Sequence, residues 1–243
     1  MTVKRIRGAS RALEVLEAIA REQPVAVGQL SKILGEHKAT LQRVLMTLAD
    51  DGWIRAAPGP MTRWELAPRI YTLMQTGQGH TEIRHRARAA LDTLRARTGE
   101  TVMLVVPDRG RLITIEALES NQVIRSAPYI GMIVPPRESA AGRAVLSRRT
   151  PAQRFELLGA EPDAELAALL VEVGERGYSI NEGAVVDGST NVGGAIMGPN
   201  GAPVAAIVVS GPSERMPPAV QQAIGELVIE TAERLSKVMP ALV

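Results

Sequence analysis

The side chains best suited to chemistry in this 243-residue chain are hydrogen-bonding forks, not nucleophiles or metal ligands. There is no Cys, which excludes thiolate zinc sites, iron–sulfur clusters, disulfides and Cys nucleophiles. Three His, namely His37, His80 and His85, are too few for a catalytic or metal centre. Asp187-Gly188-Ser189-Thr190 gathers polar atoms with no His nearby to activate a hydroxyl, and reads as a loop. The G-x-S-x-G, G-x-x-x-x-G-K-[ST] and H-E-x-x-H motifs are all missing, and Gly77-Gln78-Gly79 is only a fragment of a dinucleotide fingerprint. What stands out is Lys38-Ala39-Thr40-Leu41-Gln42-Arg43. Gln42 can offer an amide fork to a base edge, and Arg43 a guanidinium fork to guanine or phosphate. Lys38 and Thr40 fall near a helix N-terminus, where phosphate is favoured, and Ala39 is small enough for close approach.

Those residues need a helix to present them. Leu41, Val44, Leu45 and Leu48 recur at i, i+3, i+4 and i+7, which predicts a helix from near Lys38 to about Asp51. Its opposite face carries Ala39, Gln42, Arg43 and Met46, with Thr40 and Thr47 on the flank. A shorter helix precedes it at 27–34, closed by Gly35, and an earlier one takes Ser10 as N-cap with Glu14 in or near its first turn. Two helices about a glycine turn, the second with a polar outer face, form a helix-turn-helix; an ordinary amphipathic hairpin has the same pattern. Segments 53–56 and 63–66 around Pro58-Gly59-Pro60 then read as a β-hairpin, which makes the unit a winged helix. Arg55 and Arg63 sit where a wing meets the DNA backbone. Trp53 and Trp64 are assigned to packing, because duplex DNA offers no exposed base faces. A helix opening at Pro68 runs to about Thr76.

Hydrophobic residues make up 45% and aromatics 2%, which excludes a disordered chain and predicts a core of Ala, Val, Leu and Ile. No apolar run approaches a membrane span, and no apolar stretch follows the charged N-terminus as in a secretory signal, so a soluble cytoplasmic protein is expected. The net charge of +2 conceals +6 over residues 1–100 and −4 over 101–243. That asymmetry points to two domains with different partners, the basic one suited to nucleic acid.

After a flexible break at 77–80, residues 83–98 form a strongly basic helix, read as a connecting helix with a solvated face whose nearer arginines could screen DNA phosphate. Strands follow at 101–106 and 111–118 about Asp108-Arg109-Gly110, then at 122–126. Ser139 caps a helix to about Ser147, with further helices at 152–158 and 164–176. Strands at 177–180, 191–197 and 204–210 and a last helix at 217–239 complete an α+β domain with a mainly antiparallel sheet. The expected division is 1–76 for the winged helix-turn-helix, 77–98 for the linker and 99–243 for the second domain.

Several stretches together carry a family resemblance: Arg11-Ala12-Leu13-Glu14-Val15-Leu16, Lys38 to Leu45, Trp64-Glu65-Leu66-Ala67-Pro68, Ile130-Gly131 with Pro135, Ala140-Ala141-Gly142-Arg143-Ala144-Val145-Leu146, Arg176-Gly177-Tyr178 and Val209-Ser210-Gly211-Pro212. In this order and spacing the chain resembles the IclR-type transcriptional regulators over nearly its full length. The resemblance implies a winged-helix DNA-binding domain, a linker helix and a GAF-like domain that binds a small organic acid. It also implies double-stranded operator DNA as partner, and a homodimer or homotetramer. No cofactor, metal, membrane or catalytic activity is expected.

The resemblance places a ligand carboxylate on backbone N–H groups of Ser139, Ala140, Ala141 and Gly142, where free amides and the helix dipole attract an anion. Plain capping with tight packing is the alternative there. Positions matching the family's ligand contacts are Asn181, Asn191, Val208 and Ser210. Asn181 stands where glyoxylate- or pyruvate-type sites carry an acidic residue, and Val208 replaces a hydroxyl residue. Two amides and an apolar wall suit one carboxylate on a partly apolar body better than a tiny 2-oxo acid. Met103 and Met132 line that wall or fill the core. The competing reading is an enzyme or small-molecule carrier whose N-terminal domain binds a protein.

Overall fold

Apolar residues at helical spacing build the first part of the chain. The structure, a computed structural model, describes residues 6–76 and 79–239 and divides into two units, Met1–Gln78 and Gly79–Val243. Residues 77 and 78 of the expected break at 77–80 lie outside the described residues, and 79 and 80 already belong to the helix that opens the second unit. In the first unit α1 (Arg7–Glu22), α2 (Val27–Leu34) and α3 (Lys38–Asp50) pack through Val15, Ala18 and Ile19, Leu30, and Leu41, Leu45 and Leu48. Gly35 closes α2 at φ +66°, the left-handed conformation that glycine adopts freely. The first helix begins earlier than expected. Ser10 lies inside α1, whose N-cap is Ile6 without a side-chain bond, and Glu14 falls beyond the first turn. Ala9 and Ala12 let the helix extend upstream at little cost.

The wing is β1 (Ile54–Ala56) against β2 (Trp64–Leu66), antiparallel, with Arg55 opposite Glu65. Val25 adds a single bridge to Trp64, at 3.0 and 2.8 Å. Trp64 is buried in the helical core, and Trp53 lies beneath the Arg69 guanidinium at 4.6 Å, so both indoles serve packing. Helix α4 (Arg69–Thr76) follows.

The second unit opens with α5 (Gly79–Thr98) and holds a six-stranded sheet. Its strands are β3 (Thr101–Asp108), β4 (Arg111–Leu118), β5 (Ile133–Val134), β6 (Ser179–Glu182), β7 (Ser189–Met197) and β8 (Pro203–Pro212). They lie in the order β5-β4-β3-β8-β7-β6, every neighbour antiparallel. The period of two along each strand divides the side chains between two helical layers. Val102, Leu104, Val192, Ile207 and Val209 meet α5 and α9 (Pro218–Ser236). Met103, Val105, Ala206 and Val208 face α6 (Ala140–Ser147), α7 (Pro151–Leu158) and α8 (Ala164–Arg176). The chain thus combines a winged helix-turn-helix with an α/β domain built on an antiparallel sheet.

Segment 122–126 is not a strand. The first part of the outer edge of β4 is already taken: Leu112 and Ile113 pair with β5, and Thr114 bonds through its backbone to Gly131 and Met132. Residues 122–126 join no ladder, and Val123 and Ile124 are exposed.

The basic face of α5 is tied down within its own unit. Arg84 and Arg88 converge on the buried Glu116 of β4 at 2.6 and 2.8 Å. Arg86 donates to Glu82 and to the Val238 carbonyl, Arg95 to Asp92 and Asn121, and Arg97 to Glu230. The helix read as a connector therefore belongs to the fabric of the second unit.

Candidate functional site

On α3, burial of Leu41, Leu45 and Leu48 forces the other face outward, and Lys38, Ala39, Gln42, Arg43, Met46 and Thr47 are exposed. The side chains of Lys38, Gln42 and Arg43 have no hydrogen-bond or ion-pair partner among the described residues, whereas Thr47 donates to the Arg43 carbonyl at 3.0 Å. Thr40 is half-buried on the flank. On the wing, Arg55 is exposed but paired with Glu65 at 2.7 Å, and Arg63 donates to the Pro24 carbonyl at 3.3 Å. Arg55 is thereby held along the hairpin and Arg63 against the segment between α1 and α2.

In the second unit a cavity of about 410 Å³ opens between the sheet and the N-terminus of α6. Its position follows from a glycine. A side chain at Gly193 of β7 would meet the Ala140 backbone at 2.9 Å, so only glycine lets the helix end sit this close to the sheet. Ser139 caps α6, accepting the Gly142 N–H at 3.0 Å. The N–H groups of Ala140 and Ala141 lie in the first turn, where no intrahelical acceptor exists. Together with the helix dipole they give one end of the cavity an affinity for anions.

The register sets the rest of the wall. Asn181, Asn191, Ser210 and Thr101 stand opposite one another across β6, β7, β8 and β3. The next row along carries Ser179, Gly193, Val208 and Met103. Seven of the eight residues expected around a ligand line the cavity: Ser139, Ala140, Ala141, Asn181, Asn191, Val208 and Ser210. Gly142 does not. A side chain there would strike the Pro136 carbonyl at 1.9 Å, so Gly142 serves the packing of α6 on the preceding bend. Met103 and Met132 also line the cavity.

The polar row is internally bonded. Asn181, 1% exposed, donates to the Glu138 carbonyl at 2.7 Å. Asn191 donates to Asn181 at 3.4 Å and to Ser189 at 3.3 Å, while Ser210 donates to Ser126 at 2.8 Å. Behind the helix end, Arg143 bonds the carbonyls of Arg137 and Ile180 at 3.1 and 3.0 Å, and burial lowers its guanidinium below the ordinary value. Sequence reading missed the residues contributed by loops: Ile124, Arg125, Ala127 and Pro128 on one side, and Val185, Val186 and Asp187 on the other. No periodicity marks them. Of Asp187-Gly188-Ser189-Thr190, read as a loop, only Asp187 and Gly188 form a turn; Ser189 and Thr190 open β7, and Asp187, Gly188 and Ser189 line the cavity. Among the described residues no cluster of His, Asp and Glu could hold a metal, and no helix is long and apolar enough to cross a membrane.

Comparison with known proteins agrees with both units. The IclR helix-turn-helix domain matches residues 8–58, and the bacterial transcriptional regulator IclR C-terminal domain matches residues 75–237. The regulator BhcR of Paracoccus denitrificans is 27% identical over 95% of this chain and 86% of its own length. The transcriptional repressor IclR of Escherichia coli is 24% identical over 95% of this chain and 89% of its own length. Among solved structures, an IclR regulator from Alicyclobacillus acidocaldarius superposes with a TM-score of 0.82 at 22% identity, covering 96% of this chain and 99% of that one. An IclR homologue from Microbacterium hydrocarbonoxydans, complexed with 4-hydroxybenzoate, gives a TM-score of 0.79 at 19% identity, covering 95% and 98%. With matched domains spanning most of its length, the chain belongs to the IclR family of DNA-binding transcriptional regulators.

Proposed function

We propose that this regulator controls a metabolic operon, as a repressor, in response to a small carboxylic acid bound in the second unit. The observation that carries the reading is the cavity at the N-terminus of α6. It joins two uncommitted backbone N–H groups to a largely apolar chamber, so it can hold one carboxylate and a partly apolar body. The named repressors among the relatives and the acid in a related structure support the same assignment. In DNA recognition Gln42 and Arg43 read base edges, while Lys38, Thr40 and Thr47 contact phosphate and Ala39 permits the approach. Arg55 and Arg63 lie along the backbone beside the wing. One such head covers a short half-site, so the binding species is a homodimer, or a homotetramer of paired dimers, on a near-palindrome.

The test uses the full chain and DNA from upstream of its own gene. Fluorescence anisotropy is recorded with and without a panel of carboxylic acids, beside a thermal-shift screen of the same acids. One or more acids should raise the melting temperature and change DNA affinity about 5–150-fold, with DNA changing acid affinity by the same factor. Acids that bind without altering DNA affinity would overturn the regulatory reading. A panel with no binder would overturn the carboxylate reading.

A further inference from the structure

The polar wall of the cavity has a direction, and it is fixed by a backbone atom. The Glu138 carbonyl can only accept a hydrogen bond, so Asn181 must turn its Nδ2 toward it, at 2.7 Å. The Asn181 Oδ1 then faces Asn191, which must answer with its own Nδ2, at 3.4 Å. The second Asn191 N–H goes to the Ser189 hydroxyl at 3.3 Å, and that hydroxyl donates in turn to the Val186 carbonyl at 2.7 Å. Both protons of the Asn191 amide are thereby committed. Its Oδ1 has no partner among the described residues, and Asn191 lines the cavity.

We propose that the effector is a 2- or 3-hydroxycarboxylic acid whose hydroxyl donates to Asn191 Oδ1 while its carboxylate lies on the Ala140 and Ala141 amides. The inference rests on the proposed carboxylate reading of this cavity and adds to it the second functional group of the ligand. A 2-oxo group or a second carboxylate brings only lone pairs to this oxygen, whereas a hydroxyl brings a proton. Because Asp187 is exposed and Asn191 and its partners are neutral, nothing at the depth of the polar row offsets the loss of hydration of an ammonium group. Arg125 offers no counter-charge to a second anion, being paired with Glu119 at 2.7 Å.

The experiment is calorimetric titration of the full chain with two matched sets of acids. One comprises hexanoate, 2-hydroxyhexanoate, 3-hydroxyhexanoate and 2-oxohexanoate; the other 3-phenylpropanoate, 3-phenyllactate, phenylpyruvate and phenylalanine. Within at least one set a hydroxy acid should bind about tenfold or more tighter than both its parent and its oxo counterpart. In Asn191→Leu the preference of hydroxy acid over parent acid should vanish, whatever the affinity for the parent. The ligand comparison on the unaltered protein stands even if the variant fails to fold. Parent or oxo acids that bind equally well would overturn the hydroxy-acid assignment and leave the carboxylate reading intact. Tighter binding of phenylalanine would replace the hydroxyl by an ammonium donor and overturn the proposal. A preference that persists in Asn191→Leu would show that Asn191 is not the acceptor. Failure of every acid to bind would overturn both readings together.

Discussion

Two adjacent glycines on β7 allow the proposed anion-binding end of α6 to be perturbed with a built-in control. Gly193 faces α6 and Gly194 faces α9 on the other side of the sheet. A methyl group at Gly193 would lie 2.9 Å from the Ala140 carbonyl carbon and oxygen, where ordinary contact begins at 3.4 Å. The obstacle is helix backbone, so Gly193→Ala must lift the N-terminus of α6 by about half an ångström, at an overpacking cost of about 1–3 kcal/mol. Loss of glycine's freedom in the unfolded chain returns about 0.4–1 kcal/mol, leaving a net destabilisation of about 1–2 kcal/mol. On the proposed carboxylate reading the displaced amides would make charge-assisted hydrogen bonds to the acid, each worth about 1.5–3 kcal/mol. Losing about half of that from the pair weakens acid binding by roughly 10-fold or more. Gly194→Ala would bring its methyl to 2.5 Å from Val228 Cγ1, a comparable crowding that leaves α6 untouched. Urea denaturation and calorimetry on both variants provide the assay. Both should lose stability, and only Gly193→Ala should lose acid affinity. Equal loss of acid affinity in the two variants, or full retention in Gly193→Ala, would refute the claim that the α6 amides hold the anion.

Three further outcomes are expected. Arg43→Ala should lower operator affinity by about 1–3 kcal/mol and relax base preference, while Lys38→Ala should weaken all sequences alike and flatten the salt dependence; anisotropy titrations at several salt concentrations would separate the two. Burial alone would raise the Glu116 carboxyl, but the Arg84 and Arg88 guanidiniums outweigh it and hold the group below its ordinary value. Its contribution is therefore complete above the unfolded-state value and lost as pH falls through the lower folded-state value, so the stability gap between wild type and Glu116→Gln, read from denaturant midpoints, should narrow on acidification. Thr114, fully buried, has a hydroxyl with no hydrogen-bond partner; Thr114→Val keeps the shape and removes the unsatisfied group, so the melting temperature should rise, by an amount equivalent to about 1 kcal/mol.

Legibility in the sequence followed the reach of the physical signal. The bounds of α2 and α8 and the exposed face of α3 were readable because local periodicity and glycine stops determine them. The cap at Ser139 was readable from its own chemistry. Ser10 misled because capping propensity competes with helix propagation through neighbouring alanines, and the pattern does not say which prevails. Segment 122–126 misled because its apolar pair, Val123 and Ile124, looks like a strand, whereas β5 takes the start of the β4 edge and both side chains stay exposed. Gly142 was placed among ligand contacts because small residues admit both ligands and backbones, and here the backbone of Pro136 fills the space. The loops completing the cavity come from positions about sixty residues apart, and nothing in their local composition connects them.

The bond from Asn181 to the Glu138 carbonyl also bears on how this cavity can change its chemistry over time. A main-chain oxygen is not encoded by any codon, so no substitution at position 138 that preserves the backbone removes it. Selection acting on ligand preference is therefore channelled to positions 181 and 191. A change at Asn181 removes one of the two acceptors that hold the Asn191 amide; once the Ser189 hydroxyl turns from the Val186 carbonyl to donate to it, the amide can flip, exchanging an acceptor for two donors without altering a single atom of Asn191. One mutational step at a residue next to the ligand contact would then be enough to invert the polarity that the wall shows to an incoming molecule. Anyone retuning this fold as a sensor could start at position 181 and keep the packed helix end as it is.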